Sequence, residues 1–180
     1  MRRVALVIGG AECVSRDVPA ARLLCDQLGI VPEIYVANDQ IAKFPGEVVA
    51  CTLHPDKLRK WMDERRNNKF PDPKSYYCHT GYRGGASQGV PLTMIADWGG
   101  SSGLFGFVVA RLHGHDRIIF CGVPMDSSTH FVRGLRWTAV SAFTRSWNVR
   151  KTEIQQYARS MSGWTAELIG KPDEEWLQCP

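Results

Sequence analysis

No apolar run in this sequence approaches the roughly 18 residues that a membrane-crossing helix needs. No membrane partner is therefore expected. The opening stretch Met1-Arg2-Arg3-Val4-Ala5-Leu6-Val7-Ile8-Gly9-Gly10 superficially resembles a signal peptide. Its apolar run is five residues and ends in Gly-Gly, which reads as a buried strand. The GxGxxG dinucleotide fingerprint is absent, since positions 9–14 read Gly-Gly-Ala-Glu-Cys-Val. No Gly-Lys-Ser/Thr of a Walker loop occurs, and no GxSxG elbow of a serine hydrolase. Cysteine is present six times, at 13, 25, 51, 78, 121 and 179, without a CxxC pair or a Cys/His cluster of zinc spacing. Reduced thiols in a cytoplasmic protein are the expectation, with Cys25 and Cys121 packing as small hydrophobes in apolar runs.

Charge of one sign is also scarce. The net charge is +4, from 22 basic and 18 acidic residues, with no long basic stripe. A nucleic-acid partner is not expected, and an anionic small molecule is weakly favoured. The densest basic stretch, Lys57 to Arg66, alternates with apolar and acidic residues and reads as a solvated helix face.

What is there is ordinary globular composition, 44% hydrophobic and 22% charged over 180 residues, enough for one domain with a real core. Short apolar runs at 4–8, 33–37, 48–53 and 117–123 read as strands. Between them lie helical spacings over 16–28, 55–66 and 103–112, with further helix expected over 131–147. Residues 67–90 are polar and punctuated and read as a long loop or lid, with a short strand allowed at Tyr76–His79. Residues 150–180 read as a C-terminal helical segment. Strands alternating with helices predict an α/β fold: a single Rossmann-like three-layer domain over 1–180 with a mostly parallel sheet.

Ligands of such sheets bind beyond the carboxyl ends of the strands. That rule selects Gly9-Gly10, Asn38-Asp39, His54 and the Val123–Asp126 segment. Gly99-Gly100-Ser101-Ser102-Gly103 precedes an apolar helix and holds more small residues than a helix cap requires. Free backbone N–H groups and the helix dipole make such a start attractive to phosphate. His130, just past the strand at 117–123, is the histidine best placed for general acid–base work. His113 and His115 close a helix and read as structural.

These motifs in this order resemble a known superfamily, the bacterial sialyltransferases that use CMP-sialic acid. They are also similar to the group around archaeal 6-hydroxymethylpterin pyrophosphokinase. Within it the chain looks most like uncharacterised phage-associated proteins, whose tail resembles Arg159-Ser160-Met161-Ser162-Gly163-Trp164. The resemblance implies that Gly9, Gly10 and Asn38 contact a nucleotide. It implies that Ser101, Ser102 and Gly103 hold its phosphate or ribose, and that His130 is the base that deprotonates an acceptor hydroxyl. Ala11-Glu12 departs from the family's Pro-Ser, and Glu12 would repel a phosphate. The family's lid holds the phosphate with paired tyrosines, for which Tyr76, Tyr77 and Tyr82 in the long loop are the candidates.

The expected ligand set is therefore Gly9, Gly10, Asn38, Asp39, Gly100, Ser101, Ser102, Gly103 and Asp126, with His130 catalytic and no protein-held metal. The expected function is a nucleotide- or nucleotide-sugar-binding transferase, glycosyltransferase-like. Two alternatives stand beside it. One is a non-catalytic nucleotide-binding or accessory phage protein. The other is a pyrophosphokinase-like enzyme needing Mg²⁺ on carboxylates such as Asp39, Asp97 or Asp126. A homo-oligomer is possible through Trp137, Trp147, Trp164 and Trp176, although core burial is the preferred use of those rings.

Overall fold

Runs such as Val4–Ile8 and Ile118–Cys121 are apolar at every position, which suits strands covered on both faces. The computed structural model describes residues 2–80, 89–130, 134 and 140–179. Chain order is β1 (Val4–Ile8), α1 (Val14–Gln27), β2 (Glu33–Ala37), α2 (Gln40–Lys43) and β3 (Val49–Thr52). A 3-10 turn (Pro55–Lys57) leads into α3 (Leu58–Asn67), followed by β4 (Ser75–His79) and β5 (Thr93–Ile95). Then come α4 (Ser102–Leu112), β6 (Arg117–Cys121), α5 (Val140–Val149), α6 (Lys151–Tyr157), β7 (Ala158–Ser160), α7 (Gly163–Ile169) and α8 (Glu174–Gln178).

The seven strands form one sheet in the order β5-β4-β3-β2-β1-β6-β7, parallel at every pairing. The alternation of side chains along each strand divides the core. Leu6, Ile8, Val36 and Ile119 face α1, α2, α3 and α8. Ala5, Val7, Tyr35, Val49 and Phe120 face α4, α5, α6 and α7. The result is the expected three-layer Rossmann-like fold, with helices on both faces.

Two strands were not read from the sequence. β5 is a three-residue strand in a segment, 90–96, that is interrupted by Pro91 and Thr93, and β7 interrupts what reads as the C-terminal helical segment. The stretch 67–90 contains β4, and the helix expected over 131–147 is described only from Val140. Tyr82 and Trp137 lie outside the described residues. Trp147 is fully buried against Phe120, while Trp164 and Trp176 are half-buried. All six cysteines are unpaired, with four of them buried. No helix among the described residues is long and apolar enough to cross a membrane.

From β1 to β5 the sheet grows in one direction. The chain then returns through α4 and adds β6 on the other side of β1. This reversal is a topological switch point, and it lies between β1 and β6. The glycines of α4 let that helix lie close to the sheet. A Cβ on Gly106 would fall 2.8 Å from Val7 Cγ1, and one on Gly103 would fall 2.7 Å from Val123 Cγ1.

Toward the amino ends of the strands, polar groups are linked in series. The Tyr77 hydroxyl lies 2.7 Å from His113 Nε2, and His113 Nδ1 lies 2.9 Å from the Tyr35 hydroxyl. The Tyr35 hydroxyl donates to Glu33 Oε2 at 3.0 Å, and His115 Nε2 reaches the same oxygen at 2.8 Å. A neutral His113 that donates from Nδ1 to Tyr35 and accepts from Tyr77 satisfies this chain. Burial pushes the His113 imidazole below its usual range, against the opposing pull of Glu33.

Two expectations follow. Gly106→Ala forces α4 off Val7 and lowers stability by about 1–3 kcal/mol, read by chemical denaturation. Below about pH 6.5 an unfolded His113 takes a proton that the folded one resists, so the unfolded state binds more protons and stability falls as pH falls. Denaturation at about pH 7.5 and about pH 5.5 checks this. His113→Gln is expected to flatten the difference.

Candidate functional site

The switch point is built by two strands that stay paired beyond their ends. Gly9 N donates to Cys121 O at 2.8 Å, and Ala11 N donates to Gly122 O at 3.1 Å. The two glycines touch: a Cβ on Gly9 would sit 2.4 Å from Gly122 O, and one on Gly122 would sit 2.8 Å from Gly9 O. Gly122 also adopts a positive φ of 68°. Both positions require glycine, and the two strands part here around a cavity of about 280 Å³. That is close to the lower end of small-molecule sites, about 300 Å³.

Gly9 and Gly10 line the cavity from β1, and Asn38 lines it from the end of β2. Gly100, Ser101, Ser102 and Gly103 line it from the start of α4, and Asp126 and His130 line it from beyond β6. Asp39 is the one ligand candidate set back from the wall. It is buried, and its Oδ2 lies 3.6 Å from His130 Nε2. Glu12, whose charge would repel a phosphate, is exposed and does not line this cavity.

The start of α4 presents donors. Ser101 is the N-cap: its Oγ accepts from Leu104 N at 3.3 Å, and its carbonyl accepts from Phe105 N at 3.0 Å. Ser102 and Gly103 carry the remaining amides of the first turn, and both line the cavity. No acidic residue occupies that turn, so the dipole favours an anion there. Asp97 receives the Gly99 amide at 3.1 Å and so shapes the turn into the helix.

Asn38 sits in the left-handed region at φ 54°. Its Oδ1 accepts from Thr52 Oγ1 at 2.9 Å, and Thr52 Oγ1 accepts from His54 N at 2.8 Å. Asn38 itself lines the cavity. The same turn of chain brings His54 and Leu53 into the wall. His54, selected from its place after the third strand, precedes the 3-10 turn and also stands at the cavity.

His130 is fixed by backbone and by packing. Ala11 and His130 form an antiparallel bridge, and Glu12 N donates to Thr129 O at 2.8 Å. A Cβ on Gly10 would fall 2.7 Å from His130 Nε2, so the imidazole rests on the bare glycine backbone. Behind it, Trp61 Nε1 donates to Asp39 Oδ1 at 2.6 Å and holds the carboxylate in place. The arrangement is a histidine with a carboxylate near one ring nitrogen, which can support proton transfer at the other. Asp126 is held by the Ser128 amide at 2.9 Å and by the Ser128 hydroxyl.

Sequence reasoning found the wall segment Val123–Asp126 but not Trp61 or the wall residues Gly122, Ser128 and Phe143. The tyrosine lid is not formed by β4: Tyr77 is bonded to His113, and Tyr76 packs against the core on the α1 side of the sheet. His79 lies 3.8 Å from Asp97 and does not line the cavity. Among the described residues, no group of three or more His, Cys, Asp or Glu side chains is placed to hold a metal ion.

No protein-family model matches the sequence. No curated protein matches it either. Solved structures do match in fold. The sialyltransferase CST-II in complex with a trisaccharide acceptor and CMP aligns with a TM-score of 0.62 at 8% identity. That alignment covers 96% of this chain and 87% of the sialyltransferase. A tyrosine-to-phenylalanine variant of the same sialyltransferase, in complex with CMP, aligns with a TM-score of 0.60 at 9% identity, covering 97% and 88%. The protein therefore has a sialyltransferase-like α/β fold.

Gly10→Ala is expected to push the His130 ring off the backbone and open the Ala11–His130 bridge. Loss of the nuclear Overhauser contacts between Glu12 and Thr129 would show it. Wild-type contacts in the variant would contradict this packing.

Proposed function

We propose that the protein is a glycosyltransferase-like transferase whose switch-point cavity binds a nucleotide or nucleotide-sugar donor. The observation that carries this reading is the convergence of the α4 amides, Asn38 and His130 on one cavity. Its support is a fold shared with a transferase that binds CMP.

In this reading the donor phosphate lies against Ser102 N–H and Gly103 N–H. The bond from the sugar's anomeric carbon to the phosphate oxygen breaks, and its electron pair stays on the phosphate. Fixed amide donors at a helix start stabilise that developing charge without reorganising. The acceptor hydroxyl attacks the anomeric carbon and gives its proton to His130. The Asp39 carboxylate, 3.6 Å from Nε2, stabilises the imidazolium that forms. Asn38 Nδ2 and Asp126 supply a donor and an acceptor for the nucleoside.

A non-catalytic nucleotide binder would use the same cavity but would have no need of the His130–Asp39 pair. The magnesium-dependent alternative would use Asp39, Asp97 or Asp126, and each of these carboxylates is engaged, with Trp61, Gly99 and Ser128 respectively.

Calorimetric titration with CMP and with cytidine tests the reading. CMP is expected to bind, and cytidine at least tenfold more weakly, since it lacks the phosphate that α4 holds. Absence of CMP, CDP, UDP, ADP and GDP binding would refute the reading. With CMP-sialic acid as donor, His130→Ala is expected to lower CMP release by about 10²–10⁴-fold while affinity is retained. An unchanged rate would remove His130 from the chemistry.

A further inference from the structure

The tail motif Ser160-Met161-Ser162-Gly163-Trp164 has no part in the cavity wall, yet it and Asp17 converge on one segment of that wall. The segment is the turn Gly122–Asp126. It carries two left-handed residues, Gly122 at φ 68° and Met125 at φ 51°. A non-glycine residue in that region persists only where its surroundings hold it.

The holding contacts come from two directions. From α1, buried Asp17 accepts the Gly122 amide on Oδ2 at 3.0 Å. The same Oδ2 accepts the Ser162 hydroxyl at 2.6 Å. From the β7–α7 junction, Thr165 Oγ1 donates to Val123 O at 2.6 Å, and Thr165 N donates to Pro124 O at 3.2 Å. Ser160 Oγ lies 2.8 Å from Thr165 Oγ1 and completes the chain. Gly163 leaves the space: a Cβ there would fall 2.3 Å from Pro124 Cβ and 2.7 Å from Asp126 Oδ2.

We propose that Asp17, Ser162 and Thr165 are positioning residues for the nucleotide site. They clamp the Gly122–Asp126 turn in its strained form, so ligand affinity depends on them although none of the three lines the cavity. The dependence on affinity rests on the nucleotide reading above; the clamping of the turn does not.

The experiment measures two quantities in Asp17→Asn, Ser162→Ala, Thr165→Val and Thr165→Ser: amide hydrogen exchange of the ligand-free protein, and CMP affinity. Exchange at Gly122, Val123, Met125 and Asp126 is expected to quicken about tenfold in the first three variants, with the β2 and β3 amides unchanged. CMP affinity is expected to fall about tenfold in the same three, and Thr165→Ser is expected to restore both quantities. Ser162→Ala removes a single hydroxyl and keeps the test available if Asp17→Asn does not fold. If the variants only melt earlier, with wild-type exchange in the turn and wild-type CMP affinity, the proposal is overturned. If the wild-type protein fails to bind CMP, the nucleotide reading falls, and exchange in the turn alone decides the clamp. Unchanged exchange then overturns it.

Discussion

The close approach of α4 to the sheet is the contact on which the site depends. Gly103 and Gly106, one turn apart, replace side chains with backbone where the helix meets Val123 and Val7. A larger residue at either position would lift the helix from its seat. Its first-turn amides would then move away from the carboxyl ends of β1 and β6. A helix this apolar, buried along most of its length, is anchored by the core beneath it. The dipole at its start is therefore held rigidly by packing, which is the condition for electrostatic stabilisation without reorganisation.

Around that start the backbone is drawn into conformations that ordinary residues avoid. Asn38 and Met125 are both left-handed, and both line the cavity. Each is held by partners from elsewhere in the chain: Thr52 for Asn38, and the neighbours of Gly122–Asp126 for Met125. Lys69 is also left-handed, but it follows the end of α3 on the surface, where such a residue closes a helix. Strain concentrated at one cavity and stabilised from several elements fits a site in which geometry is fixed before a ligand arrives.

Much of this was legible in the sequence. Val4–Ile8 and Ile118–Cys121 are buried on both faces of the sheet, and such strands announce themselves as unbroken apolar runs. Gly9-Gly10, Asn38 and Ser101-Ser102-Gly103 are local signals, read from turn and helix-start chemistry alone. The edge strands were not legible. Thr93-Met94-Ile95 and Ala158-Arg159-Ser160 are three residues each and carry polar side chains, as edges commonly do. Trp61 and Asp17 were missed because their roles depend on contacts 22 and 105 residues away. Asp17 left one trace: an acidic residue on the face of α1 that buries Val14, Ala21 and Cys25. A carboxylate there needs a partner, and the partners are backbone and hydroxyl groups behind the site.

The central claim is that phosphate meets the amides of Ser102 and Gly103 at the switch point. Nitrogen–proton correlation spectra recorded during addition of CMP test it most directly. The expected result is that the Ser102 and Gly103 amides move furthest and saturate together with Gly10 and Asn38, while the amides of β5 stay still. Saturating shifts confined to any other part of the molecule, or none at all, would contradict it.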